Sequence, residues 1–197
     1  MDIDKVIDEL TLEEKAGLLS GADFWNTKSI NRLGIQAVMM SDGPHGLRKM
    51  DDSNDLAVGD SIEAICFPTA SAIAASFDRN VAYSIGNALG RACQHEGVAY
   101  ILGPAINIKR SPLCGRNFEY FSEDPLVSGE MAIAYTKGVQ DNQVGVSVKH
   151  FAANNQEDQR MTVSSEISDR ALREIYFPAF EMIPIAFTPS IHFFGVI

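Results

Sequence analysis

Val144-Gly145-Val146-Ser147-Val148, followed at once by Lys149 and His150, is the stretch whose reading decides the fold. Five residues without a charge, then a polar loop running to Arg160, predict a buried strand that stops at the edge of a sheet. The same grammar occurs twice upstream. Ile35-Gln36-Ala37-Val38-Met39-Met40 stops at Ser41-Asp42-Gly43-Pro44, and Val98-Ala99-Tyr100-Ile101-Leu102 stops at Gly103-Pro104. Helical stretches separate these runs. Asp78 can cap a helix from Asn80 to about Glu96, closed by Gly97. Asp124-Pro125 opens another, running to about Gln140 with the proline at its first position, and Ser168 can cap a last one through Leu172, Ile175 and Phe180. Near the start, Thr11 and Glu14 form a capping-box pattern for an amphipathic helix through Leu12, Lys15 and Leu18-Leu19, ended by Ser20-Gly21. Apolar strands linked by helix-sized crossovers predict a parallel sheet covered by helices, hence the α/β class. Residues 49–61, with Asp51, Asp52, Asp55 and Asp60, read as a solvated surface loop.

In each unit the polar residues follow the strand, on the side where parallel sheets and barrels bind ligands. The loops beginning at Ser41, Gly103 and Lys149 are therefore expected to converge on one site. They carry Asp42, His45, Arg48, Arg116, Glu119, Glu123, Asp124, Lys149, His150, Asn154, Asn155, Glu157 and Arg160. Carboxylates accept hydrogen bonds from hydroxyls while Arg, Lys and Asn donate to hydroxyl oxygens, so such a set suits a ligand rich in hydroxyl groups. A solvated structural loop is the competing reading.

Other chemistries find less support. No glycine-rich phosphate cradle follows a strand, and neither a nucleophile elbow nor an H-E-x-x-H pattern occurs. His95-Glu96 reads as a helix-end pair. Cys66, Cys93 and Cys114 are odd in number and widely spaced, giving neither a disulfide framework nor a zinc signature. The 197 residues hold 26 acidic and 16 basic side chains, a net charge of −10 that argues against nucleic-acid and anionic-membrane partners. An acidic start without an apolar leader, no Asn-x-Ser/Thr acceptor and no bilayer-length apolar run make a cytoplasmic location the expectation.

Seven segments resemble, in order, the N-terminal barrel domain of glycoside hydrolase family 3, the β-glucosidase family. They begin with Leu10-Thr11-Leu12-Glu13-Glu14-Lys15, Ser41-Asp42-Gly43-Pro44-His45-Gly46-Leu47-Arg48 and Cys66-Phe67-Pro68-Thr69-Ala70. Gly103-Pro104-Ala105-Ile106-Asn107-Ile108 and Cys114-Gly115-Arg116-Asn117-Phe118-Glu119-Tyr120-Phe121-Ser122-Glu123-Asp124-Pro125 follow. Val148-Lys149-His150-Phe151-Ala152-Ala153-Asn154-Asn155-Gln156-Glu157 and Arg170-Ala171-Leu172-Arg173-Glu174-Ile175-Tyr176 complete the set. The resemblance implies that Asp42, Arg116, Lys149, His150 and Arg160 contact the non-reducing sugar of a small β-glucoside or oligosaccharide, and it implies no metal or organic cofactor. Each residue also has a plainer reading: Asp42 as a turn cap, Arg116 as the partner of Glu119 or Glu123, His150 as a satisfied core histidine. Lys149 and His150 are adjacent, and neighbouring strand residues point to opposite faces, so a shared ligand predicts a bulge or an unusual peptide bond between them.

The resemblance also implies what the chain lacks. The family's nucleophile lies in an S-D-W-like segment and its acid/base in a second domain; here the only tryptophan is Trp25, and Ser41-Asp42 leads into glycine. Against the roughly 250 residues of a (β/α)₈ barrel, three strands imply an incomplete TIM-type barrel, about the first half. The expected organisation is a partial barrel domain over 1–181 and a divergent apolar tail over 182–197, where Pro184 and Pro189 would break any helix. The functional expectation is a retaining β-glucosidase-type hydrolase represented by a truncated, inactive piece; the alternative is a non-catalytic sugar-binding or interaction module. The oligomeric state has no signature in the sequence.

Overall fold

The computed structural model describes residues 2–50, 60–186 and 192–195. Four strands form one sheet: β1 (Met40–Ser41), β2 (Tyr100–Ile101), β3 (Gly145–Lys149) and β4 (His192–Gly195). All three pairings are parallel and the spatial order is the chain order, β1-β2-β3-β4. The α/β class expected from the alternation is the class observed.

Two helices cover the sheet between its first three strands. Arg79–His95 (α4) follows Asp78, whose side chain accepts from Asn80 N, and Pro125–Gln140 (α5) follows Asp124, which accepts from Leu126 and Val127. Their apolar faces meet the sheet in one core, with Leu89 and Cys93 from α4, Tyr135 and Val139 from α5, and Ile101, Val146 and Val148 from the strands. The two helices touch backbone to backbone at Gly86, where an added Cβ would lie 2.1 Å from Tyr135 O. Ser168 caps a short α6 (Asp169–Ala171), which runs through a π-helical turn, Leu172–Tyr176, into α7 (Pro178–Ala186). Ala179, Phe180 and Ile183 of α7 join the same core.

Several expectations are corrected. Pro184 sits inside α7 rather than ending it: the missing N–H removes one bond near the last turn, while the flanking Phe180 and Ile183 are buried. Of the tail expected over 182–197, residues 187–191 and 196–197 lie outside the described residues. Residues 192–195 pair with β3 in register from Val146↔His192 to Lys149↔Gly195. The 35–40 run contributes only its end to the sheet. Gly34, at φ 70, turns the chain so that the preceding segment folds back on it, with antiparallel bridges Ile30↔Ile35 and Asn26↔Met39.

The capping box at Thr11 and Glu14 forms as read and opens α2 (Leu12–Leu18), yet this helix buries no residue and Leu19 beyond it is 92% exposed. Its anchor is polar: Arg32 binds the Glu14 carboxylate and donates to Glu9 O. Two helices had no reading in the sequence, α1 (Ile3–Glu9), capped by Asp2, and α3 (Ala70–Ala74), capped by Thr69. Of the surface loop expected at 49–61, residues 51–59 lie outside the described residues. No helix among the described residues is long and apolar enough to cross a membrane.

Candidate functional site

Three loops leave the same edge of the sheet, and their polar groups meet. The first turns sharply after β1. Gly43 lies at φ 111, where a Cβ would sit 2.0 Å from Gly46 O, so the turn requires glycine there. Asp42 accepts from the Gly43 N–H at 2.9 Å, which is its turn-capping role, and also receives Lys149 Nζ at 2.7 Å.

The second loop braces the third. Lys149 N donates to Pro104 O at 3.0 Å and Ile106 N to Lys149 O at 2.7 Å. Asn107, fully buried, holds the backbone of His150 at both ends: its Oδ1 accepts from His150 N at 2.7 Å and its Nδ2 donates to His150 O at 2.8 Å. The Lys149–His150 peptide is cis, the unusual bond expected at this step, and both side chains reach the shared cluster.

The charges alternate along the cluster. Asp42 pairs with Lys149; Lys149 Nζ lies 3.5 Å from Glu119 Oε2; Glu119 binds Arg116; Arg116 reaches Glu157 at 3.3 Å; Glu157 meets Arg160 at 3.3 Å. Glu119, 3% exposed, is the middle link and touches both the buried Lys149 and the half-buried Arg116. Burial alone would raise the Asp42 carboxyl, but the Lys149 ammonium beside it, the Gly43 N–H and the field of Arg116 hold it below the usual carboxylate range. Asp42 is therefore ionised at neutral pH.

His150 is neutral. Burial first, then Lys149 and Arg116, push it down to about 3. Its tautomer follows from its neighbours. Arg116 only donates, so His150 Nε2, 2.8 Å away, accepts, and Nδ1 carries the proton to Tyr120 Oη at 2.9 Å. Asn154 Nδ2 donates to the same Tyr120 oxygen at 2.9 Å and to Glu157 Oε1 at 2.8 Å. Burial pushes the Tyr120 phenol up, keeping it protonated.

A cavity of about 470 Å³ opens over this cluster, lined by Asp42, His45, Arg48, Arg116, Phe118, Glu119 and Arg160 with the glycines of the first turn. The structure thus brings Asp42, Arg116, Lys149 and His150 together directly and Arg160 through Glu157. Asp124 is elsewhere, capping α5, and the neighbouring Glu123 is exposed. Asn155 is buried, with both side-chain polar atoms unpaired among the described residues. Tyr120 and Asn107 were not singled out in the sequence, although both stand in segments that carry the resemblance. Glu157 appeared there only as a loop carboxylate, whereas Glu119 was read as a partner of Arg116, as is observed. Among the described residues, no group of three or more His, Cys, Asp or Glu side chains is arranged to hold a metal ion.

Residues 13–183 match the model of the glycosyl hydrolase family 3 N terminal domain. The chain belongs to glycosyl hydrolase family 3. Among family 3 relatives, it is 58% identical over 182 residues to thermostable beta-glucosidase B of Acetivibrio thermocellus, covering 92% of this chain and 24% of that protein. It is 51% identical to an exo-alpha-(1->6)-L-arabinopyranosidase of Bifidobacterium longum, over 90% of this chain and 24% of the other. The beta-glucosidase of Kluyveromyces marxianus superposes with a TM-score of 0.90 at 39% identity, covering all of this chain and 24% of that one. Beta-glucosidase 3B of Thermotoga neapolitana, solved in complex with alpha-D-glucose, superposes with a TM-score of 0.84 at 40% identity, covering 93% and 27%. The chain thus spans about a quarter of the length of these relatives.

Proposed function

We propose that this chain is the sugar-gripping part of a retaining glycoside hydrolase of β-glucosidase type, acting on terminal non-reducing β-D-glucosyl residues of a small glucoside or oligosaccharide. Residues 1–181 are assigned to the first half of the family's barrel. The observation that carries the reading is the convergence of Asp42, Arg116 and Arg160, from three separate loops, on one cavity, with Lys149 held against two of its lining carboxylates, Asp42 and Glu119. The ionised Asp42 accepts hydrogen bonds from sugar hydroxyls, Lys149 and Arg116 donate to their oxygens, and Arg160 closes the rim. His150, neutral and fixed as the Nδ1–H tautomer, orders Arg116 and Tyr120 beneath the ring. Solved family 3 relatives hold glucose, in agreement with this choice of ligand.

Retaining cleavage needs one free carboxylate as nucleophile and a second group that carries a proton. Within the cluster Asp42, Glu119 and Glu157 are each tied to cations, which suits them to binding and not to either catalytic role. We therefore assign sugar binding, not bond cleavage, to the cluster itself. The same pairing favours the second reading, a sugar-binding module without turnover. The purified chain is expected to bind D-glucose in calorimetry, to lose that binding in Asp42→Ala, and to release no chromophore from an aryl β-glucoside. Glucose binding unaffected by Asp42→Ala would overturn the site; turnover would overturn the restriction to binding.

A further inference from the structure

His45, Arg48 and Phe118 line the cavity outside the charged cluster, and of these three Phe118 alone is apolar. Phe118 stands between Arg116 and Glu119 in the chain and is 53% exposed, while Glu119 and Tyr120 after it are buried. Its backbone is pinned to the start of α3: Phe118 O accepts from Ala70 N at 3.0 Å, and Asn117 O accepts from Ser71 Oγ at 3.2 Å. The ring is thus carried on a fixed support.

Burial gives the cavity a direction. Glu119 lies at its floor with the buried Lys149 against it, whereas Arg48, Arg160 and Phe118 stand exposed at its mouth. A sugar held by the floor groups leaves whatever is attached to it facing the mouth. The volume of about 470 Å³ falls in the range of small-molecule sites and is roomier than one pyranose ring needs. Phe118 is the aromatic face available there.

We propose that Phe118 is a specificity-determining residue: an apolar or aromatic group on the anomeric oxygen of the anchored sugar packs against its ring. The proposal rests on the sugar-site reading above and adds the chemistry of the second half of the ligand. Ring packing of this kind supports a preference of about two- to ten-fold for an aromatic over a methyl substituent.

The test titrates the full 197-residue chain with methyl and phenyl β-D-glucopyranoside and reads the ratio of their dissociation constants. The unaltered chain should favour the phenyl glycoside within that span. Phe118→Ala should bring the ratio to about one, and Phe118→Trp, which restores an aromatic face, should keep the preference. A ratio of one in the unaltered chain, or a ratio that Phe118→Ala leaves unchanged, overturns the proposal while methyl glucoside binding leaves the sugar site standing. Failure of the methyl glycoside to bind the unaltered chain overturns the sugar site and this inference with it.

Discussion

At the scale of the residue, the site is a row of alternating charges, and burial decides what each is worth. A buried ion pair stabilises only while both partners remain, and removing one leaves an uncompensated charge at a cost of about 3–5 kcal/mol. Glu119 touches both Arg116 and Lys149, so Glu119→Ala should destabilise the chain by that amount in urea titration. Arg160, half exposed at the rim, pairs with Glu157 in contact with solvent, and Arg160→Ala should cost about 0–1 kcal/mol. Equal costs for the two would refute the ranking by burial. Thiol chemistry offers a second check. Cys66 is exposed while Cys93 and Cys114 are buried, and burial pushes Cys93 up to about 12. A disulfide reagent should titrate one thiol per native chain and three after unfolding. Much of the site was legible in the loop residues: Asp42, Arg116, Lys149 and His150 stand where polar groups follow apolar strands. Asn107 and Tyr120 were not, because a polar residue's value as a brace depends on which buried peptide or ring it meets across the fold. One-dimensional spacing does not record that.

At the scale of the element, each helix read from the sequence was announced by a capping residue, Thr11 of the otherwise exposed α2 among them. Asp78, Asp124 and Ser168 each cap the helix expected of them. The weaker readings share a cause. The 35–40 run was apolar enough for a strand, but the turn at Gly34 gave residues 35–39 a local antiparallel partner, leaving two residues to the sheet. The short α1 and α3 have about two turns and one turn, too few for a periodic signal. What holds the readable helices together is the contact at Gly86. Glycine in mid-helix costs about 1 kcal/mol relative to alanine, so Gly86→Ala would stabilise an isolated α4. In the protein the added methyl meets the Tyr135 carbonyl, a backbone atom that cannot swing aside. Packing should win: Gly86→Ala is expected to lower stability by about 1–3 kcal/mol in denaturant titration. A neutral or stabilising result would show that α4 and α5 can separate at little cost.

At the scale of the whole molecule, the cluster ties the chain segments after β1, β2 and β3 into one unit, so its protonation state governs global stability. The sign is set by His150, whose folded value of about 3 lies far below the ordinary 6.5. Between those values the unfolded chain binds a proton that the folded chain refuses. The stabilisation is complete above pH 6.5 and is lost as pH falls toward 3, by up to about 1.4 kcal/mol per pH unit for this one group. Asp42, lowered from 3.8, acts in the same direction but only at more acid pH, where its carboxylate takes up a proton and releases Lys149. His45, also lowered by burial, adds a contribution of the same sign in the upper window. Urea titrations from pH 7 to pH 4.5 should therefore show stability falling steadily. His150→Gln isolates the share of His150: the variant starts less stable at pH 7, having lost the bonds to Arg116 and Tyr120, but its curve falls less steeply by up to one proton. The slope, unlike the offset, does not move for a merely structural loss. Parallel curves for the two proteins would mean that His150 titrates normally in the folded chain, and the tautomer assigned to it beneath the sugar would fall with that result.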